Sequence, residues 1–202
     1  MKKLILLTVL IFSLFSTSVF AAENSAAPAN SVLHRSLETI GVVVIGGADV
    51  KTPDFFNAIA EALSPTAQEA QKYTIETGTP AQTKYQNYWS DKNFLDEQPL
   101  TKDVAVDFVK YSGYDKVLYI MISQPVMENT LHGGGFWGYW DTTTHNRASI
   151  EVKAYLSDGN TILKSVNVTK EDDSAASQLR AKRGAFKKSI KEIAAQVKDA
   201  LI

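Results

Sequence analysis

Apolar residues recur along this chain in three rhythms, and each rhythm predicts a different element. Ile40–Ile45 and Lys116–Ile122 are continuous aliphatic runs, the pattern of strands buried on both faces. The second run is the more hydrophobic and is expected at the centre of a sheet. A helical rhythm follows Thr52-Pro53, a cap and first-turn proline, with Phe55, Phe56, Ile59, Ala60 and Leu63 on one side and Ser64-Pro65 as the stop. Tyr73–Thr77 reads as a short second strand closed by Gly78. Thr79-Pro80 repeats the cap signal before a short stripe of Ala81, Tyr85, Tyr88 and Trp89. Asp91–Pro99 is expected to be a loop. Thr101 then caps a helix whose inner face is Val104, Ala105, Phe108 and Val109, and Gly113 suits its C-terminal position.

The third rhythm is strict alternation. Ala148, Ile150, Val152, Ala154 and Leu156 interleave with Arg147, Ser149, Glu151, Lys153 and Tyr155, so one face of this strand is wet. Ser157-Asp158-Gly159-Asn160 makes a turn, and the return strand buries Ile162, Val166 and Val168. A two-residue turn would send the two apolar sets to opposite faces. A three-residue turn over 158–160 therefore predicts Leu156 opposite Ile162 and Val152 opposite Val166, with Gly159 or Asn160 left-handed. The chain closes with a helix predicted from Ser174 to Leu201, its stripe formed by Leu179, Phe186, Ile190, Ile193, Val197 and Leu201. Glu171-Asp172-Asp173 would precede it, favourably placed for the helix dipole.

The resulting order, β-α-β-α-β-β-β-α, predicts an α/β fold with α+β character. A single mixed sheet should carry parallel strands from the βαβ crossovers and a C-terminal antiparallel hairpin, followed by the long closing helix. No repeat of 20–50 residues is visible.

The first residues change the picture from fold to location. Lys2 and Lys3, the apolar run Leu4–Phe15, and Val19 and Ala21 at the −3 and −1 positions have the form of a signal peptide spanning 1–21, with cleavage expected after Ala21. The run is too short to read as a membrane span. Residues 22–36 are small, polar and aperiodic and read as a disordered linker. Residues 37–202 are then one domain, and the protein is expected to be periplasmic or secreted, with no transmembrane segment once the signal is removed.

Composition adds two exclusions. The expected mature chain, with 19 basic and 22 acidic side chains, has a charge near −3, which does not suit a nucleic-acid binder. There is no cysteine, so the fold must be held by its core rather than by disulfides. Ala22 also stands where a lipoprotein would carry its lipid-bearing cysteine.

Candidate chemistry is sparse. Leu131-His132-Gly133-Gly134-Gly135-Phe136 superficially matches an esterase oxyanion element, but no Gly-x-Ser-x-Gly elbow accompanies it. Read as a recognition loop over 130–141, the same segment crowds Phe136, Trp137, Tyr139 and Trp140 behind three glycines. Large aromatics with polar handles dominate contact surfaces, although such residues also serve as lids over a core. His132, Asp141 and His145 flank that loop without the spacing of a zinc motif. Gly46-Gly47-Ala48-Asp49 lacks the spacing and lysine of a nucleotide loop, and turn chemistry suffices for it. Arg180, Arg183, Lys187 and Lys191, with Lys182 and Lys188, give the last helix a basic face, a candidate for peripheral membrane-surface contact or an ordinary solvated surface. No cofactor, metal or catalytic residue is expected.

With these elements in order, a buried first strand, capped helices, a central strand before a Gly/aromatic loop, an Asp-Gly hairpin and a closing helix, the chain resembles a bacterial envelope α/β domain. That domain occurs in the N-terminal part of TolB, in CsgG and in LpoB, and it also resembles uncharacterised envelope lipoproteins with a Gly/Trp-rich loop. The resemblance spans about 37–201 and implies protein binding in the cell envelope rather than catalysis, with no residue carried over. The chain is therefore expected to be a non-catalytic exported interaction module contacting an envelope protein through loop 130–141. The alternative is a glycan or lipid-headgroup binder using the same aromatics.

Overall fold

The structure is a computed structural model; it describes residues 37–94, 100–136 and 139–202, without the side chains of 131–144. The signal peptide and linker expected over 1–36 lie outside the described residues, as do Trp137, Gly138 and part of the loop expected over 91–99.

The fold is mixed α/β, as the sequence predicts, with one six-stranded sheet. The strands are β1 (Glu38–Ile45), β2 (Tyr73–Glu76), β3 (Lys116–Ile122), β4 (Val126–Phe136), β5 (Tyr139–Ser157) and β6 (Ile162–Ser174). Among the described residues four α-helices accompany them: α1 (Pro53–Leu63), α2 (Thr79–Asp91), α3 (Lys102–Ser112) and α4 (Gln178–Leu201). Strand β1 pairs in parallel with β2 on one side and β3 on the other. Beyond β3 everything is antiparallel: β5 pairs with β3 and β4 along one edge and with β6 along the other.

Strands β1 and β3 are covered on both faces, which explains their unbroken apolar runs. On the first face, Ile40, Val42, Val44, Leu118, Ile120, Ile150 and Val152 pack against Phe55, Ile59 and Leu63 of α1 and against Phe186, Ile190, Ile193 and Val197 of α4. Each such side chain contributes about 1.5–3 kcal/mol when fully buried. On the second face, Val43, Val117 and Tyr119 meet an aromatic group from α2 and α3, in which Tyr85 stands edge-on to Phe108 at 5.0 Å between ring centroids. Gly41 belongs here for want of a side chain, since a Cβ would collide with the Tyr114 ring.

Several boundaries differ from expectation. The segment expected as a loop over 130–141 is strand on both sides of residues 137–138, which adds a sixth strand and lengthens β5 back to Tyr139. The closing helix starts at Gln178, not Ser174. Ser177 caps it by accepting the Arg180 N–H, and residues 171–174 instead finish β6. The acidic trio is therefore strand and not a helix lead-in. Leu179 is exposed rather than buried. Gly78, not Thr79, is the cap of α2.

The β5–β6 register is the instructive correction. Leu156 opposes Lys164 and Val152 opposes Val168, two residues away from the expected pairing. Residues Asp158–Thr161 form the connection. The Asp158 carboxylate accepts the N–H groups of Asn160 and Thr161 at 2.9 Å, and Gly159 takes φ 81°. A bulge at Leu156/Ser157 shifts the ladder by one residue. That shift restores Val166 and Val168 to the face of Ala154 and Val152, while Ile162 joins Tyr155 on the second face. Burying the apolar set is what the register must achieve; the bulge achieves it in place of a three-residue turn.

Candidate functional site

The segment that carries the expected contact residues is a two-stranded ribbon. Its origin lies in the junction of β3 and β4. Ile122 opposes Val152 and Val126 opposes Ser149, so three residues, Ser123–Pro125, face two on β5. Pro125 has no N–H to give a ladder and suits such a bulge. The Ser123 N–H still donates to the Glu151 carbonyl at 3.0 Å. Strand β4 thereby continues along the edge that β3 begins.

Past Asn129 and Asn146 the ribbon leaves the sheet. Strand β6 ends its pairing at Asn146↔Ser174, whereas β4 and β5 stay paired from Thr130↔His145 to Phe136↔Tyr139. Seven residue pairs extend about 23 Å at strand rise. The root is pinned from α4 and β6: the Gln178 amide donates to Asn129 Oδ1 at 2.9 Å, and the Asn146 amide donates to the Ser174 carbonyl at 3.0 Å.

Of the expected contact residues, Phe136 and Tyr139 are direct register partners and Trp140 pairs with Gly135. Trp137 lies outside the described residues. The three glycines pair with Thr142, Asp141 and Trp140. Their backbone belongs to a ladder, an arrangement unlike the free N–H cradle of an esterase. His132 pairs with Thr143, Asp141 with Gly134 and His145 with Thr130. Asp141 and His145 are thus about 13 Å apart along one strand. Among the described residues no group of three metal-ligating side chains is gathered. The sequence signal for this ribbon is the β-branched run Thr142–Thr144.

The basic residues of α4 divide into two kinds. Lys182 is buried and paired with Asp49, whose carboxyl is held below its ordinary range chiefly by that hydrogen bond. Its ammonium also lies 5.6 Å from the Phe55 ring centroid. The Gly46–Asp49 turn therefore anchors α4 to the end of β1. Arg183 pairs with Asp54 of α1, and Lys188 with Asp172 of β6. Arg180, Lys187 and Lys191 are exposed and make no ion pair among the described residues. Arg183 and Lys187 flank a cleft of about 190 Å³ that also holds Asp54 and Glu61 over Phe55 and Phe186. The cations here face carboxylates, so the basic stripe is partly neutralised by its neighbour helix.

No family model matches the chain, and no curated protein matches it. Solved structures to which it is similar include a lipoprotein from Neisseria meningitidis, 15% identical with a TM-score of 0.37, covering 80% of this chain and 99% of that one. A hypothetical protein from Chlamydia trachomatis is 11% identical with a TM-score of 0.39, covering 80% and 96%. A minor lipoprotein from Acinetobacter baumannii is 9% identical with a TM-score of 0.30, covering 81% and 91%. Among the described residues of this chain, no helix is long and apolar enough to cross a membrane.

Proposed function

We propose that this chain is a non-catalytic exported interaction module of the bacterial cell envelope and that it holds an envelope protein through the ribbon of β4 and β5, residues 130–141. The observation that carries this reading is the ribbon's isolation. From Thr130↔His145 outward the two strands pair with each other and with no further strand among the described residues. A two-stranded hairpin is at best marginally stable in water, and a partner surface supplies the third layer it lacks. Four large aromatics within five residues, 136–140, are the composition of an interface centre.

The test is in-cell photocrosslinking from position 137 or 140, followed by mass spectrometry, with a probe at exposed Lys110 on α3 as the control site. The reading expects a discrete envelope-protein adduct from the ribbon and none from the control. Adducts of equal yield at both sites, or none at the ribbon, would sink it. Quenching of tryptophan fluorescence by a soluble envelope glycan, without a protein adduct, would move the function to ligand binding.

A further inference from the structure

Among the described residues three strands leave an edge unpaired: β4, which carries the ribbon, and the unequal edges β2 and β6. Strand β2 is an edge of four residues, short enough to discourage pairing. Strand β6 is the opposite edge, thirteen residues long, contains no proline, and pairs only with β5 among the described residues. Long edge strands offer a row of unpaired backbone groups to another strand, and here the side chains restrict which strand can take it.

We propose that β6 is a homodimer edge, joined antiparallel to β6 of a second copy of this chain across a two-fold axis at Val168. The register follows from geometry. Directly opposed residues in an antiparallel pair are either both hydrogen-bonded or both not, so a symmetric pair of identical strands must place its axis on a residue and not between two. An axis at Asn167 sets Lys164 against Lys170, and one at Lys170 sets that lysine against itself; like charges in direct opposition are unfavourable. An axis at Val166 sets Lys164 against Val168, and one at Thr169 sets Asp172 against Val166. Neither of these gains an ion pair.

The axis at Val168 sets Lys164 of each copy against Asp172 of the other. It is also the register that overlaps the strands completely, Ile162 against Ser174. Lys164 is exposed and makes no ion pair among the described residues. On the acidic side, Lys188 of α4 donates to the Glu171 carbonyl at 3.2 Å and pairs with Asp172 Oδ1, while Asp172 Oδ2 lies against Gly184; Lys164 of the second copy would be a second cation on that carboxylate. A lysine on an edge strand repels most strands that approach it; opposite an aspartate it becomes a selector for this one. Dimerisation would turn two six-stranded sheets into one continuous sheet and leave both ribbons free.

The experiment uses the protein purified after export from the full-length gene, studied by sedimentation and light scattering up to about 200 μM. A dimer is expected, weakening in about 1 M salt. Lys164→Glu should raise its dissociation constant at least about tenfold, with an unchanged circular dichroism spectrum, whereas Lys110→Glu on α3 should match the parent. Because the chain has no cysteine, the register can be read separately. Asn167→Cys and Thr169→Cys proteins, mixed and oxidised, should form the 167–169 disulfide in preference to 167–167 or 169–169, since directly opposed residues lie within disulfide reach. A parent that stays monomeric, a dimer indifferent to Lys164→Glu, or a dimer without the mixed disulfide would each overturn the proposal.

Discussion

At the residue scale, the pair of Lys182 and Asp49 shows how unevenly one ion pair can be shared. Lys182 is 8% exposed, while the Asp49 side chain is 59% exposed. Removing the aspartate strands a buried ammonium; removing the lysine leaves a carboxylate that water can solvate. Asp49→Ala is therefore expected to cost about 1–3 kcal/mol in chemical denaturation, and Lys182→Met clearly less. The pH dependence has a definite sign. Asp49 has a lowered folded-state pKa, with the Lys182 hydrogen bond as the largest cause. Its contribution is present above the unfolded value, about 4, and is lost as pH falls through the folded one. The gap between the parent and Asp49→Asn should thus close below about pH 4; a gap that stays constant into acid would refute the role given to this pair. Neither partner was identifiable as such in the sequence. Asp49 read as turn chemistry and Lys182 as one lysine of a basic run, because 133 positions separate them and nothing in either neighbourhood announces the other.

At the element scale, periodicity carried furthest where one physical demand governed a segment. The runs at β1 and β3, the cap at Thr101 with its accepted Val104 N–H, and the left-handed Gly113 all follow from local pattern. Legibility failed where two demands competed. Glycines and crowded aromatics over 131–140 signal a loop, yet the described backbone, 131–136 and 139–140, is a ladder, since cross-strand pairing outweighs the low strand propensity of glycine. The β5–β6 turn failed similarly, because a bulge cannot be read from alternation alone. If the ribbon is an arm and not part of the core, it can be removed. Replacing residues 131–144 with Asn-Gly between Thr130 and His145, a directly opposed pair whose backbone groups face each other, gives a two-residue connection suited to a hairpin. The shortened protein should unfold cooperatively within about 4 °C of the parent and lose the ribbon's crosslinked partner. A collapse of cooperative unfolding would show instead that the aromatics act as a lid on the core.

At the scale of the whole molecule, the sheet is a partition between two unlike cores. One is aliphatic, spans β1, β3, β5 and β6, and is closed by the 24-residue helix α4. The other is aromatic and lies between the sheet and helices α2 and α3. Strands β1 and β3 contribute alternate residues to each, Val42 and Val44 to the first and Val43 to the second, so neither core can form without fixing the same backbone. The end of the last helix is also tied to the first strand through β3: Lys116 Nζ donates to the Leu201 carbonyl at 3.0 Å and pairs with Glu38. These shared strands should make the domain one cooperative unit despite its two cores. Phe186→Ala on the first face removes a buried ring, 1% exposed and 4.4 Å from Phe55 between centroids, at a cost of about 3–5 kcal/mol. Trp89, packed in the second core against Phe94 at 4.9 Å, reports from the other side. With Trp137 and Trp140 replaced by Phe, the Trp89 fluorescence midpoint of the Phe186→Ala protein should fall by about 6–20 °C. Loss of helical circular dichroism should follow the same curve. Two separated transitions would mean that the cores melt independently and that the shared strands do not couple them.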